Sequence, residues 1–158
     1  MTGKQNMIEI VKSREISAGV GRVWELISDT DRDEERWGAI RDIKVLKREG
    51  NTIEREATVG PRAFGHKGRQ TIVLNPKKSI GLTMSGEGVT GERTITLVPK
   101  GEGSTRVDVS WKIDVKDVPG FVQGIVKGQI SKATEDALEK FQQEAERAPL
   151  ADGKVGAR

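Results

Sequence analysis

The stretch that most constrains this chain is Pro119 to Arg147, the longest run with a helical period. Phe121, Val122, Ile125, Val126, Ile130, Ala133, Ala137, Phe141 and Ala145 recur at three- and four-residue steps, the spacing of one face of an α-helix. Glu135, Glu139, Gln142 and Glu146 fall on the other side. Pro119 suits the first turn, where its missing N–H would be unpaired anyway, with Asp117 or Val118 as the N-cap. Pro149 should end the helix by disfavouring helical backbone at Ala148. A helix of this length spans about 42 Å. Its apolar stripe needs something wide beneath it.

The preceding chain supplies a sheet. Met7–Ile16 reads as a first strand, and Val20–Ser28 as a short helix with Val20, Val23, Trp24 and Ile27 on its apolar face. Asp29–Trp37 is charged and reads as a second short helix or an ordered loop. From Ile40 the period changes to two. Ile43 and Val45 begin a hairpin that turns at Glu49–Asn51 and returns through Ile53, Arg55, Ala57 and Val59. Further alternating sets are Gln70–Ile72–Leu74, Ile80–Leu82–Met84, Arg93–Ile95–Leu97 and Val107–Val109–Trp111–Ile113–Val115. Gly86–Gly91 and the Lys100–Ser104 segment read as turns. Short turns between alternating strands imply an antiparallel sheet with one dry face, and only the terminal helix is long enough to cover it. The reading is α+β, with seven strands, two short helices after the first, and one long helix.

Composition narrows the class. The chain has 158 residues, which fits one domain, expected over 7–148 with disordered flanks at 1–6 and 149–158. It has no cysteine, so disulfides and thiolate metal sites are excluded and a reducing, cytoplasmic location is expected. No run is apolar and long enough to cross a membrane, and the polar start is no signal peptide. The net charge of +3 comes from 27 basic and 24 acidic residues with interspersed signs, a poor match to a nucleic-acid-binding face.

The segment Ile16–Asp29, Trp37, the Gly103–Trp111 strand and the amphipathic terminal helix together resemble the START/birch-pollen-allergen superfamily of helix-grip proteins. The polyketide cyclase/dehydrase and lipid-transport branch is the most similar. The resemblance runs from about Met7 to Ala148 and implies a curved sheet gripping the long helix, with an apolar cavity between them. Its members carry lipids, hormones and polyketides, cyclise polyketides, or assist partner proteins. They share no catalytic signature that could be carried over to residues of this chain.

The residues themselves suggest where a site would lie. Arg55 and Arg93 each sit in the apolar phase of a strand. A guanidinium facing a dry interior must be paired. An anionic ligand end would do this through the donor fork, a partner carboxylate would do it within the protein, and a β-bulge would turn the side chain to water. Either of the last two is the plainer account. Gln70 is a weaker case of the same kind. His66 is the only histidine, and reads either as a cavity acid–base or, more plainly, as an exposed strand-edge residue beside Lys67. Trp111, Ile72, Leu82, Met84, Ile95, Val109 and Ile113 are the expected lining from the sheet, with Val122, Ile125 and Val126 from the helix. Gly120, Gly124 and Gly128 either pack against a loop such as Gly60–Gly65 or soften the helix so that a ligand can pass.

The expected function is binding or transport of a hydrophobic or amphipathic small molecule of lipid, polyketide or isoprenoid type. A cyclase or dehydratase using the same cavity is the poorer reading, since tyrosine and cysteine are absent. A non-catalytic accessory protein with a macromolecular partner is the third. No cofactor is expected, a lone histidine among scattered carboxylates makes no metal site, and a monomer or weak homodimer is expected.

Overall fold

The computed structural model describes residues 7–38, 40–60, 66–86, 88–116 and 119–151. The strands are β1 (Met7–Ile16), β2 (Ile40–Glu49), β3 (Thr52–Val59), β4 (His66–Asn75), β5 (Ser79–Gly86), β6 (Val89–Pro99) and β7 (Thr105–Val115). They form one antiparallel sheet in the order β1-β7-β6-β5-β4-β3-β2. Between β1 and β2 lie helix α1 (Val20–Ile27), a 3₁₀ turn (Thr30–Arg32) and the single-turn helix α2 (Asp33–Arg36). Helix α3 (Gly120–Ala151) closes the chain.

The sheet's inward face is the alternating set read from the sequence: Ile53, Ala57, Ile72, Ile80, Leu82, Ile95, Leu97, Val107, Val109, Trp111 and Ile113 are all buried. Helix α3 lies across it. Lys12 reaches Glu135 at 2.7 Å, Arg14 reaches Gln142 at 2.8 Å, and Trp111 Nε1 donates to Thr134 Oγ1 at 3.0 Å. This is the helix-grip arrangement.

Several boundaries differ from expectation, each for a physical reason. The Pro119 carbonyl accepts from the Val122 and Gln123 N–H groups, so proline occupies the cap rather than the first turn. The helix runs through Pro149 to Ala151, since a proline so near the end removes only one intrahelical bond. The stripe is broken at its start: Phe121 is 73% and Ile125 43% exposed, because at about 100° per residue they fall on the helix face opposite the buried Val126 and Ile130. In β2, Asp42 has φ 56° and the register shifts twice, so the alternation fails and Val45 is exposed. Strand β6 begins at Val89, inside the segment read as a turn.

The curl of the sheet has a glycine basis. Gly68, Gly86 and Gly91 share the inward phase of β4, β5 and β6, and Gly68 pairs with Gly86. A Cβ on Gly86 would lie 2.6 Å from the Lys67 carbonyl oxygen and 3.0 Å from Gly68 Cα. Backbone cannot swing aside as a side chain can. Gly86→Ala is therefore expected to cost about 1–3 kcal/mol through overpacking, measured by chemical denaturation. An unchanged midpoint would show that the strands separate there without cost.

Candidate functional site

Under α3 the sheet carries a buried polar cluster and, beside it, a small apolar space. Arg55 is the best satisfied member. Its Nε donates to Gln70 Oε1 at 2.7 Å, its Nη1 to the Thr30 carbonyl at 3.1 Å and its Nη2 to Asp33 Oδ2 at 2.9 Å. Gln70 is the cross-strand partner of Arg55, and its Nε2 rests 3.8 Å from Met84 Sδ. The turn and α2 exist to deliver these groups: Thr30, Asp33 and Arg36 are all buried, although they come from the most charged segment of the chain. Arg36 makes its own pair with Glu144, at 3.0 Å, and donates to the Leu26 carbonyl.

Arg93 is different. It is 1% exposed, and its guanidinium lies 4.5 Å from the Trp37 ring centre and 5.6 Å from that of Trp111. Its Nε and Nη1 are buried and make no hydrogen bond to a described residue. Burial pushes the guanidinium down to about 10, with Asp33 opposing and Arg55 adding to the effect. It remains protonated at neutral pH. Burial pushes the Asp33 carboxyl up, against the pull of Arg93, Arg55 and Arg36. With Arg36 taken by Glu144, two guanidiniums share one carboxylate.

The apolar space measures about 20 Å³ and is lined by Val59, Gly60, His66, Met84, Val89, Ile113, Val115, Val126 and Ile130. That is room for roughly one water. Met84 and Ile113 both pair with Gly91, two residues before Arg93 on the same face of β6. The cluster and the space are thus one step apart along the strand. Outside, a groove of about 400 Å³ runs between α3 and the ends of α2 and β3, lined by Gly38, Gly60, Gly124, Ile125, Gly128 and Ile130 among others. Gly60 and Ile130 border both, so the first half of α3 is the partition between groove and interior.

Residues 7–146 match the family described as polyketide cyclase / dehydrase and lipid transport. The chain belongs to that family. Among solved structures it is similar to the Zhui aromatase/cyclase of Streptomyces sp. R1128, with a TM-score of 0.82 and 13% identity over 94% of this chain and 99% of that one. It is also similar to a START superfamily protein of Mycobacterium smegmatis, with a TM-score of 0.72 and 19% identity over 87% and 98%. A norcoclaurine synthase of Thalictrum flavum, solved with dopamine and hydroxybenzaldehyde, gives a TM-score of 0.65 and 21% identity over 98% and 97%. At these identities the likeness is one of fold. No curated protein matches the chain in sequence.

Within this polyketide cyclase / dehydrase and lipid transport fold, the residues singled out from the sequence fall into three groups. His66, Met84, Ile113 and Val126 line the interior space. Arg55, Gln70, Arg93 and Trp111 belong to the polar cluster or its aromatic wall, while Ile72, Leu82, Ile95 and Val109 are closed core. Val122 is half-buried against that core. Ile125 is the correction: it faces the outer groove, not the interior. At this end the space between the described residues is water-sized. At Gly120, Gly124 and Gly128 an added Cβ meets no described atom within 4 Å. The segment 61–65, expected to pack there, lies outside the described residues.

Asp33 and Arg36 escaped the sequence reading. One signal was available: Asp33 precedes Trp37 by four residues, one helical turn, so an acid on the face of a buried tryptophan would itself be buried.

Proposed function

We propose that this protein binds a hydrophobic or amphipathic small molecule bearing an anionic or carbonyl end, between the sheet and α3. One observation carries the reading: Arg93 is buried with Nε and Nη1 unpartnered among the described residues, in a cluster where two guanidiniums face one carboxylate. Unsatisfied buried donors are costly. A ligand oxygen beside Met84 and Ile113 would be one strand step from them. Among the described residues this space holds about a single water, and lifting of the first half of α3 would enlarge it, with Gly120, Gly124 and Gly128 lowering the resistance of that half.

A second reading, a cyclase- or dehydratase-type enzyme, draws support from His66 at the opposite end of the same space. There Arg93 would polarise a carbonyl and His66 would move a proton. Native mass spectrometry of the purified protein, followed by incubation with the molecule recovered, separates carrier from enzyme: a carrier returns it unchanged.

The binding reading is tested by Arg93→Met. Lowering the guanidinium to about 10 costs on the order of 3 kcal/mol, and stacking on two tryptophans offsets about 2 kcal/mol of that. The free variant is therefore expected to be more stable than the parent by roughly 1 kcal/mol. It should bind anilinonaphthalene sulfonate at least about tenfold more weakly, while its affinity for the neutral analogue N-phenylnaphthylamine stays within about twofold. Equal losses for both probes would sink the idea that Arg93 anchors an anion.

A further inference from the structure

The exposed face of α3 near its start is not accounted for by the core, the polar cluster or the interior space. Phe121 and Ile125 stand on the solvent side, and Gly128 and Lys132 continue their stripe at helical spacing, opposite the buried Val126 and Ile130. Scattered exposed apolar residues are ordinary, but two large ones stacked one turn apart form a patch. Along the helix from Gly120 to Thr134 the charged residues are all lysines. No acidic residue occurs between Asp117 and Glu135, whereas Lys116, Lys127 and Lys132 are exposed. The first acids beyond the patch are already engaged: Glu135 with Lys12 at 2.7 Å, and Asp136 with Lys132 at 3.4 Å.

We propose that this face docks on an anionic lipid bilayer. Phe121 and Ile125 enter the headgroup boundary, and Lys116 and Lys127 meet the lipid phosphates. A second copy of the chain fits less well, because a two-fold contact would bring the same lysines together while Glu135 and Asp136 are held by Lys12 and Lys132. Docking in this way sets the groove between Gly60 and Gly128 beside the bilayer surface. Docking depends on exposure and charge at this face and not on whether the interior holds a ligand.

The test is flotation of the full chain with vesicles of about three parts phosphatidylcholine to one part phosphatidylserine. Wild type is expected to float with them, and to bind at least about tenfold more weakly to phosphatidylcholine alone or after raising the salt to about 0.5 M. The double variant Phe121→Ser/Ile125→Ser should lose a similar factor without a change in melting temperature, since neither side chain is in the core. Lys127→Gln should lose about fivefold. Failure to float with the anionic vesicles would overturn the proposal, as would equal flotation of the double variant. A wild-type dimer in light scattering that the double variant disperses would assign the face to a second copy instead.

Discussion

Asp33→Asn is expected to destabilise the protein by about 3–5 kcal/mol, the range for breaking a buried ion pair from one side. The substitution keeps the shape and removes the charge. Asp33 is 2% exposed and is the carboxylate that Arg55 reaches at 2.9 Å. Arg93 is the charge that acts on it most strongly. Without it, two buried guanidiniums remain with no anion between them. An asparagine oxygen still accepts the Arg55 hydrogen bond, so the loss reports charge rather than geometry. The double variant Asp33→Asn/Arg93→Met should recover at least about 1 kcal/mol, a coupling expected of residues in one network. Chemical denaturation measures both. A single-variant loss below about 1 kcal/mol would mean that water reaches the pair, and additivity in the double variant would mean that Arg93 and Asp33 do not share a field.

That cluster also marks where reading from sequence stops. Strand β7 was legible because a local pattern decided it: alternate residues face alternate sides, and Val107, Val109, Trp111, Ile113 and Val115 are all buried. The same rule placed Arg55, Gln70 and Arg93 inward. It could not choose their partners. Arg55 pairs with an acid 22 positions away that sits in a run of similar acids, and only the fold selects Asp33 from among them. Arg93 finds two tryptophans and, among the described residues, no carboxylate of its own. In β2 the alternation itself fails, because Asp42 adopts a positive φ that no pattern announces. Helix α3 shows the remaining limit. Three- and four-residue steps put Phe121 and Phe141 on one stripe, but over 20 residues the angle accumulates to about 200°, so one faces solvent and the other the sheet.

Phe141→Ala is expected to cost about 3–5 kcal/mol, against less than about 0.5 kcal/mol for Phe121→Ala. Phe141 is 1% exposed and packs edge-on against Trp37 with ring centres 6.2 Å apart. Trp37 in turn meets Trp111 at 6.2 Å, so the ring joins α3 to the tryptophan pair that flanks Arg93. On its other side the Arg36 guanidinium lies 5.1 Å from the ring centre while bonded to Glu144 one turn along the helix. Truncation leaves a void bounded by a tryptophan that is fixed at both faces and an arginine held by its ion pair. Neither can move in to fill it, which places the cost toward the upper end. If the loss were below about 1 kcal/mol, Trp37 would have to be free to collapse into the space. Arg93 would then lose its nearer aromatic face, and the fluorescence of Trp37 and Trp111 would shift with it.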